Sequence, residues 1–343
     1  MAVQFDFKKR LGAGHFGEVW LATETGLATT CAVKLIPPDR LANSNNFFQE
    51  AQTLKAAEHP NVVRIIETGT LPDGRVYVSM EFLKRGSLED EASGSYVHLS
   101  RAKRVMIDAL RGLEHAHSKQ ILHRDIKPAN ILIGDNYEGK LSDFGLALPA
   151  GMSPAAAGVK GYLYTLHTAP EVLAGGQYGV QSEVYACGVT LYRLINGDAY
   201  VANPPNLLND IQTGQFPDRN GYRAFIPRQV RTVINRAMNV DPSGRYQSAA
   251  ELRHAVEQLL TYVNWQETLA SNGIRWTGHR DQRLFEVAEI ADPTGSLSVV
   301  VRQGASNRTL RRINRLCIDG VDRKAARRHS ARVLQDFVLG REP

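Results

Sequence analysis

Cysteine is scarce in this chain of 343 residues, and its scarcity excludes two kinds of protein. The three cysteines, Cys31, Cys187 and Cys317, lie far apart in the sequence. A disulfide-rich secreted domain or a structural zinc site would need more cysteines at short, repeated spacings. We therefore expect reduced, packed thiols in a protein of a reducing compartment, which predicts a cytoplasmic location.

Long apolar runs are also lacking. The longest candidate, residues 184–195, is shorter than the roughly 18 residues of a membrane-spanning helix, and it contains Arg193. The first six residues, MAVQFD, place a charge where a secretory signal needs an apolar run. The sequence therefore predicts neither a membrane span nor a membrane partner.

An excess of acidic residues is missing as well. The chain has 41 Lys and Arg against 35 Asp and Glu, a formal net charge of +6, and most of the excess lies late in the sequence. A hydrophobic fraction of 43% and a charged fraction of 22% are ordinary for a soluble globular protein. At about 100–200 residues per domain, the length allows two or three structural units. A basic balance suits acidic partners without requiring them.

What the sequence does contain is a set of residues suited to phosphoryl transfer. Residues 123–130 read HRDIKPAN, and Asp-Phe-Gly follows at 143–145. Asp125 can accept the proton of an attacking hydroxyl, and Lys127, two residues on, can neutralise the transferred phosphate. Asn130 and Asp143 offer the oxygen ligands that Mg²⁺ prefers.

These motifs, in this order, resemble those of the eukaryotic-type serine/threonine protein kinase family. The resemblance runs from about Phe5 to Val263 and implies an α+β, bilobal protein-kinase fold. We expect a small β-rich N-lobe over 1–83, a mainly helical C-lobe over 84–263 and a small accessory α+β module over 264–343. The compact lobes without long insertions are typical of bacterial members. The resemblance implies transfer of the γ-phosphoryl group of ATP, with Mg²⁺, to serine or threonine hydroxyls of a protein, including autophosphorylation.

A glycine-rich segment, Gly12 to Gly17, lies near the amino terminus. Strand-forming residues continue after its last glycine, which predicts a strand–loop–strand hairpin, whereas a dinucleotide fingerprint would place a helix there. Glycine lets a loop fold closely over phosphates because it has no Cβ. The resemblance implies that the loop covers the ATP phosphates with Leu11, Gly12, Ala13, Gly14, His15, Phe16 and Gly17.

A lysine, Lys34, lies inside an apolar strand and needs a partner, because an unpaired buried charge is costly. The resemblance implies that Lys34 binds the α- and β-phosphates and pairs with a helix glutamate. Glu50, on a helix-periodic segment, is the candidate. Glu58, beside a His-Pro pair that ends the helix, is the alternative. A solvated helix face would also explain Glu50.

Residues 76–83 read as an alternating strand that leads into a connector with Gly86. By resemblance this is the hinge between the lobes. Met80 would limit the depth of the adenine pocket, and backbone groups of Glu81 to Leu83 would hydrogen-bond the base. Val19 and Ala32 would enclose the base from above. Ordinary core packing would place the same residue types here.

The C-lobe pattern contains a long helix over 99–118, predicted from its apolar spacing. Ala-Pro-Glu at 169–171 closes the activation segment, and Glu171 needs a buried cation. The resemblance implies that Arg245 supplies it. Small-molecule phosphotransferases lack this pair, so it favours a protein substrate. Arg124, beside the predicted base, would bind an activation-loop phosphate or form an ion pair with a neighbouring acid.

Two departures from the family pattern stand out. Before Ala169 the family has Gly-Thr-x-x-Tyr, and a shift of one residue would let Thr165 serve as the substrate-loop threonine. At Glu183 the family has an aspartate that accepts hydrogen bonds from the catalytic-loop backbone. Glutamate keeps the charge with one more methylene, so we expect an altered anchor for the loop.

Beyond Val263 the pattern matches no family. Residues 284–290 and 296–301 flank the turn sequence DPTG and predict a β-hairpin. Helix patterns follow over 308–318 and 322–339. We expect Trp265 and Trp276 to dock this module on the kinase lobes.

The two predicted C-terminal helices are rich in cations. A solvated basic face explains them, and a surface for a nucleic acid or an acidic protein partner is the alternative. If the surface binds such a partner, an alternative function is a nucleotide-dependent scaffold. Its kinase fold would be weakly active or inactive, and its basic module would bind the nucleic acid or the acidic protein. The residues concerned are Arg308, Arg311, Arg312, Arg315, Arg323, Lys324, Arg327, Arg328 and Arg332.

Overall fold

The structure is a computed structural model, and it shows a β-sheet, a helical body and a second β-sheet in chain order. No helix in the described part of the chain is long and apolar enough to cross a bilayer. The described residues are 4–14, 17–26, 28–38, 48, 51–52, 55, 58–144, 162–201, 204–293, 295–305 and 309–341.

The amino-terminal sheet has five antiparallel strands in the order β1-β2-β3-β5-β4. The predicted hairpin is confirmed, with Gly14 paired to Gly17. Gly17 is required there, because its φ is +122° and a Cβ would lie 1.9 Å from the Leu35 carbonyl oxygen. The strands are β1 Phe5–Gly14, β2 Gly17–Glu24, β3 Thr29–Ile36, β4 Ile65–Thr70 and β5 Val76–Glu81.

Alternation along β3 decides which side chains face the helical body. Cys31, Val33 and Leu35 belong to a small cluster with Tyr77 on one face of the sheet. Because successive residues of a strand point to opposite faces, Ala32 and Lys34 share the other face. The strand therefore directs a lysine towards the cleft beneath the sheet.

The helical body is built around two long helices. The helix predicted over 99–118 is confirmed as α2, Leu99–Ser118, and the buried residues of α5, Val180–Asn196, run without a break from Ser182 to Asn196. A helix covered on all sides forms the centre of a core. Two short strands pair beside the catalytic loop, β6 Ile131–Ile133 and β7 Gly139–Leu141. The helices are α1 Leu88–Ala92, α2 Leu99–Ser118, α3 Tyr162–His167, α4 Pro170–Leu173, α5 Val180–Asn196, α6 Leu207–Gln212, α7 Arg228–Ala237 and α8 Ala249–Glu257.

The C-terminal module is an antiparallel sheet of six strands with one helix packed on it. The predicted hairpin is confirmed, since β10 pairs with β11 in register from Arg283 to Ala291. The elements are β8 Asn264–Ala270, β9 Gly273–Arg280, β10 Arg283–Ala291, β11 Leu297–Ala305, β12 Arg311–Arg312, β13 Ile318–Val321 and α9 Arg323–Val338.

One of the two predicted C-terminal helices is wrong. Residues 311–321 form β12, a 3₁₀ turn over Asn314–Leu316 and β13, and both strands pair with β11. Their apolar spacing fits a helix, but pairing here satisfies the backbone groups at the edge of β11. The second helix is confirmed: α9 begins after Asp322, whose side chain accepts from Ala325 N at 2.7 Å, and ends before Gly340.

The module is bound to the helical body through polar contacts on the outer edge of β8. Tyr96 Oη donates to the Trp265 carbonyl and accepts from Glu267 N, both at 2.8 Å. Arg223 pairs with Glu267 at 2.8 Å and stacks 4.0 Å from the Tyr96 ring centre. Trp265 and Trp276 are buried, but their indole N–H groups bond within the module. Sequence reasoning did not find Tyr96 and Arg223, which dock β8 together with the hydrogen bonds of Asn264 to Ser100 and of Gln266 to His98.

Candidate active site

The loop after α2 places a carboxylate between a lysine and an amide. Lys127 Nζ lies 2.7 Å from Asp125 Oδ2, and Asn130 Nδ2 lies 2.8 Å from the same oxygen. Asn130 also donates to the Asp125 carbonyl at 2.8 Å. Pro128 ends any α-helix here and begins the 3₁₀ turn that turns Asn130 back towards Asp125. The three residues predicted from HRDIKPAN are thus brought together.

His123, the first residue of the same motif, is completely buried and supports the loop from inside. Its Nδ1 accepts a hydrogen bond from Asp125 N at 3.3 Å, and its ring lies 4.4 Å from that of Phe144. Burial lowers the pKa of His123, which favours the neutral imidazole whose Nδ1 can accept this hydrogen bond.

A second carboxylate reaches the cleft from the segment after β7. Lys34 Nζ, on β3, lies 3.1 Å from Asp143 Oδ1. Burial would raise the pKa of Asp143, but the charge and hydrogen bond of Lys34 outweigh it and hold that pKa below its usual value. Asp143 has φ of +56°, a left-handed conformation that is strained for a non-glycine residue. The pair joins the amino-terminal sheet to the catalytic loop region.

The two predicted metal ligands fit a hard divalent cation. Asn130 Oδ1 and Asp143 Oδ2 accept no hydrogen bond or ion pair from the described residues, so both oxygens remain available. Mg²⁺ usually takes one or two protein oxygens and completes its shell with water and substrate phosphates. The described part of the chain holds no cluster of three His, Cys, Asp or Glu side chains that could bind a metal.

The apolar residues predicted to enclose the adenine lie on neighbouring strands. Ala32 pairs with Met80 across β3 and β5, and both are buried. Val19, on β2, packs against the same core. Val19 pairs with Lys34 on β3, so the three apolar residues predicted for the base lie on adjacent strands of the sheet.

The connector after β5 presents a backbone donor, Leu83 N–H, at the position predicted to bind the base. Glu81 N–H donates to the Arg64 carbonyl at 3.0 Å, so Glu81 can offer the cleft only its carbonyl. Among the described residues nothing accepts from Leu83 N–H. The Glu81 carboxylate, which points elsewhere, binds Lys140 Nζ at 2.8 Å and fixes the connector to β7. Lys140 was not predicted, although an acid in a hinge strand signals the need for a cation.

Not every predicted residue can be placed. Gly12, Ala13 and Gly14 end β1, with the exposed Leu11 just before them. The predictions at His15, Phe16, Glu50 and Gly145 lie outside the described residues. Thr165 lies in α3, in the part of the activation segment that is described.

Beneath the catalytic loop, Glu183 forms the anchor that the sequence predicts at this position. Its Oε1 accepts from Arg124 N at 2.6 Å, and its Oε2 lies 2.7 Å from His117 Nε2. Tyr178 Oη also donates to Oε1, at 3.3 Å. The glutamate is fully buried, and burial together with its charge raises the pKa of Tyr178 well above the usual value. His117 and Tyr178 were missed, although a buried carboxylate implies more than one donor.

The predicted pair of Glu171 and Arg245 is confirmed. Arg245 holds both carboxylate oxygens of Glu171, at 2.6 and 2.9 Å, and its side chain is fully buried. The remaining guanidinium donors bond to the carbonyls of Asn239, Val240 and Gln181. The end of the activation segment is thereby fixed to α5 and to the loop after α7.

Comparisons with known proteins agree with this geometry. A family model described as protein kinase domain matches residues 5–256. Serine/threonine-protein kinase PknJ of Mycobacterium tuberculosis is 31% identical over 268 residues, 75% of this chain and 45% of that protein. PrkC of Bacillus subtilis is 28% identical over 322 residues, 89% of this chain and 48% of that protein. Human calcium/calmodulin-dependent protein kinase type 1B is 32% identical over 260 residues, 73% of this chain and 74% of that protein. The chain spans less than half the length of the two bacterial relatives.

Proposed function

The chain belongs to the protein kinase family, and on that premise we propose that it is an ATP-dependent protein serine/threonine kinase. The observation that carries the proposal is the Lys34–Asp143 pair at 3.1 Å, because it unites two motifs 109 residues apart in one cleft. Serine/threonine-protein kinases among the relatives support the same reaction. Lys127, two residues after Asp125, is typical of the serine/threonine class.

We assign the proton-accepting role to Asp125. Lys127 and Asn130 hold its carboxylate in place, so it can orient a serine or threonine hydroxyl and take its proton. Lys127 also supplies positive charge beside the transferred phosphoryl group. Fixing both groups before the substrate arrives lowers the cost of reaching the reactive geometry.

We assign nucleotide binding to the sheet and its connector. Lys34 would contact the α- and β-phosphates, with Glu50 as the proposed partner that keeps it aligned. Val19, Ala32 and Met80 would enclose the adenine. The Glu81 carbonyl and the free Leu83 N–H would pair with its edge. Asn130 and Asp143 would hold Mg²⁺, which, when bound, neutralises phosphate charge.

We also propose three units, 1–83, 84–263 and 264–343, and a cytoplasmic location. Strand β5 ends at Glu81, next to the proposed boundary at 83/84, and β8 begins at Asn264, at the proposed boundary at 263/264. Three unpaired cysteines suit a reducing compartment. The alternative of an inactive scaffold is not favoured, since Lys34, Asp125, Asn130 and Asp143 are all present.

The test is transfer of label from γ-labelled ATP with Mg²⁺, to the protein itself and to a mixed protein substrate. We expect phosphoserine and phosphothreonine with wild type, and no label with Asp125→Ala or Asp143→Ala. Asp135→Ala is the matched control, because Asp135 is an exposed acid of the same lobe. Undiminished labelling in Asp125→Ala would refute the assignment, and ATP binding without any transfer by wild type would favour the scaffold.

A further inference from the structure

One face of α9 carries cations that the rest of the protein does not neutralise. Residues 264–343 contain 14 Lys and Arg against 9 Asp and Glu, which accounts for +5 of the chain's net charge of +6. None of four exposed cations on α9 has an acidic partner among the described residues: Arg323, Lys324, Arg327 and Arg328. Arg332 reaches Asp336 only at 3.9 Å. Such a face attracts an anionic ligand, because no internal acid competes for it.

The opposite face of α9 is fixed. Leu334 and Phe337 are buried against the sheet, and Ser330 is hydrogen-bonded to Glu289. His329 Nε2 lies 2.7 Å from the Leu316 carbonyl. These contacts prevent the helix from rotating, so the cations stay directed outward.

The helix also has a fixed position relative to the catalytic lobe. Gln335 Nε2 donates to the Ala224 carbonyl at 2.8 Å. A ligand held on α9 is therefore held at a constant place beside the C-lobe.

The four cations and Ala331 line an open groove of about 490 Å³. Arg323 and Arg327, like Lys324 and Arg328, are four residues apart, and residues at that spacing are neighbours on a helix surface. From Arg323 to Arg332 the row is about 14 Å long at about 1.5 Å per residue, which matches about four residues of an extended peptide.

We propose that this groove docks an acidic segment, rich in Asp and Glu or phosphorylated, of the protein substrate. The proposal rests on the proposed kinase function and names a recognition feature of its substrates. Charge complementarity selects an anion. The proposed kinase function has protein substrates, which favours an acidic peptide over a nucleic acid as the occupant. No aromatic side chain lines the groove to stack on bases.

Binding tests the groove directly. The probes are fluorescent hexaglutamate, hexaglutamine and phosphoserine peptides and a short mixed-sequence DNA duplex, each titrated with full-length protein. The variant is Lys324→Glu with Arg328→Glu. The matched control is Arg283→Glu with Arg341→Glu, an equal charge change at the other end of α9, where Phe337 packs on Phe285.

We expect the two anionic peptides to bind wild type and control alike, and the groove variant to bind them about tenfold more weakly, which corresponds to about 1.4 kcal/mol. Hexaglutamine should not bind. Equal peptide affinity in all three proteins overturns the proposal. Tighter binding of the duplex than of the peptides, lost in the groove variant, also overturns it and assigns the surface to nucleic acid.

A labelling assay separates this proposal from the kinase assignment. Degenerate serine/threonine peptides carry either a hexaglutamate or a hexaglutamine tail. Wild type and control should label the acidic-tailed mixture severalfold faster, and the groove variant should label both mixtures at the rate of the neutral one. Equal labelling of both mixtures by wild type overturns docking and leaves the kinase assignment intact. If wild type labels neither mixture although it binds hexaglutamate more tightly than the groove variant does, then substrate docking and the kinase assignment are both overturned.

Discussion

The catalytic lobes and the C-terminal module use charged side chains in opposite ways. In the lobes, the buried charges of Arg245 and Glu183 are surrounded by partners that position the activation segment and the catalytic loop. On α9, Arg323, Lys324, Arg327 and Arg328 are exposed and lack acidic partners among the described residues. A charged side chain with buried partners stabilises the fold, whereas an exposed charged side chain without an internal partner is available to bind a ligand. The comparison predicts where mutation costs stability or rate and where it costs only binding.

Breaking the Glu171–Arg245 pair should have the largest effect on stability. Arg245→Ala leaves a carboxylate without its buried partner, and such losses cost about 3–5 kcal/mol. Urea unfolding measures it. Lys84→Ala, at an exposed pair with Asp135, is the control and should change stability by less than about 0.5 kcal/mol. Equal losses in both variants would remove the distinction between buried and exposed charges.

Shortening the Glu183 side chain, which anchors the catalytic loop, should lower kcat more than it lowers the free energy of unfolding. Glu183→Asp keeps the charge but cannot reach both Arg124 N and His117 without movement of the loop. We expect kcat to fall by up to about a hundredfold, the cost of misplacing a catalytic group by about 1 Å, while ATP affinity stays unchanged. Glu91→Asp, at a half-exposed pair with Arg101, is the control. An unchanged kcat would show that Asp125 does not depend on this anchor.

Removing one hydroxyl should loosen the module from the lobes. Tyr96→Phe leaves the Trp265 carbonyl and Glu267 N without their shared partner, at a cost of about 1–3 kcal/mol. Hydrogen exchange at β8 should accelerate, while exchange in α5 stays slow. Tyr137→Phe, at an exposed site, is the control. Unchanged protection of β8 would contradict the docking role of Tyr96.

Reversing charges on α9 should have the smallest effect on stability. Lys324→Glu with Arg328→Glu removes no internal contact among the described residues, so the free energy of unfolding should change by less than about 0.5 kcal/mol. Thermal and urea unfolding measure it. A loss above about 2 kcal/mol would mean that these cations support the fold and would weaken the contrast with Arg245.

The sequence predicted the parts of the fold that rest on local patterns. The helix over 99–118, the glycine hairpin and the hairpin around DPTG follow from apolar spacing and turn residues, and all three are confirmed. Strands β8 and β9 were not predicted, and 308–318 was assigned to a helix. In that region apolar spacing does not separate a helix from an edge strand, and tertiary pairing with β11 decides.

In the candidate site, too, residues that are close in sequence were predicted and contacts between distant segments were not. Asp125, Lys127 and Asn130 lie within six residues, and the structure brings them together as predicted. The Glu183 anchor was predicted, but His117, 66 residues away, and Tyr178 were not. Tyr96 and Arg223 escaped notice because their partners belong to a module without a recognised motif. Contacts between distant segments need the folded chain.

The most direct test of the central claim measures binding and transfer side by side for two carboxylates. Titration of ATP with and without Mg²⁺, and transfer from γ-labelled ATP, are recorded for wild type, Asp125→Ala and Asp143→Ala. We predict that Asp125→Ala keeps Mg²⁺-dependent ATP binding and loses transfer by at least about a hundredfold, as expected for a proton acceptor. Asp143→Ala should lose both. Mg²⁺-dependent binding that survives in Asp143→Ala, or transfer that survives in Asp125→Ala, would contradict the account.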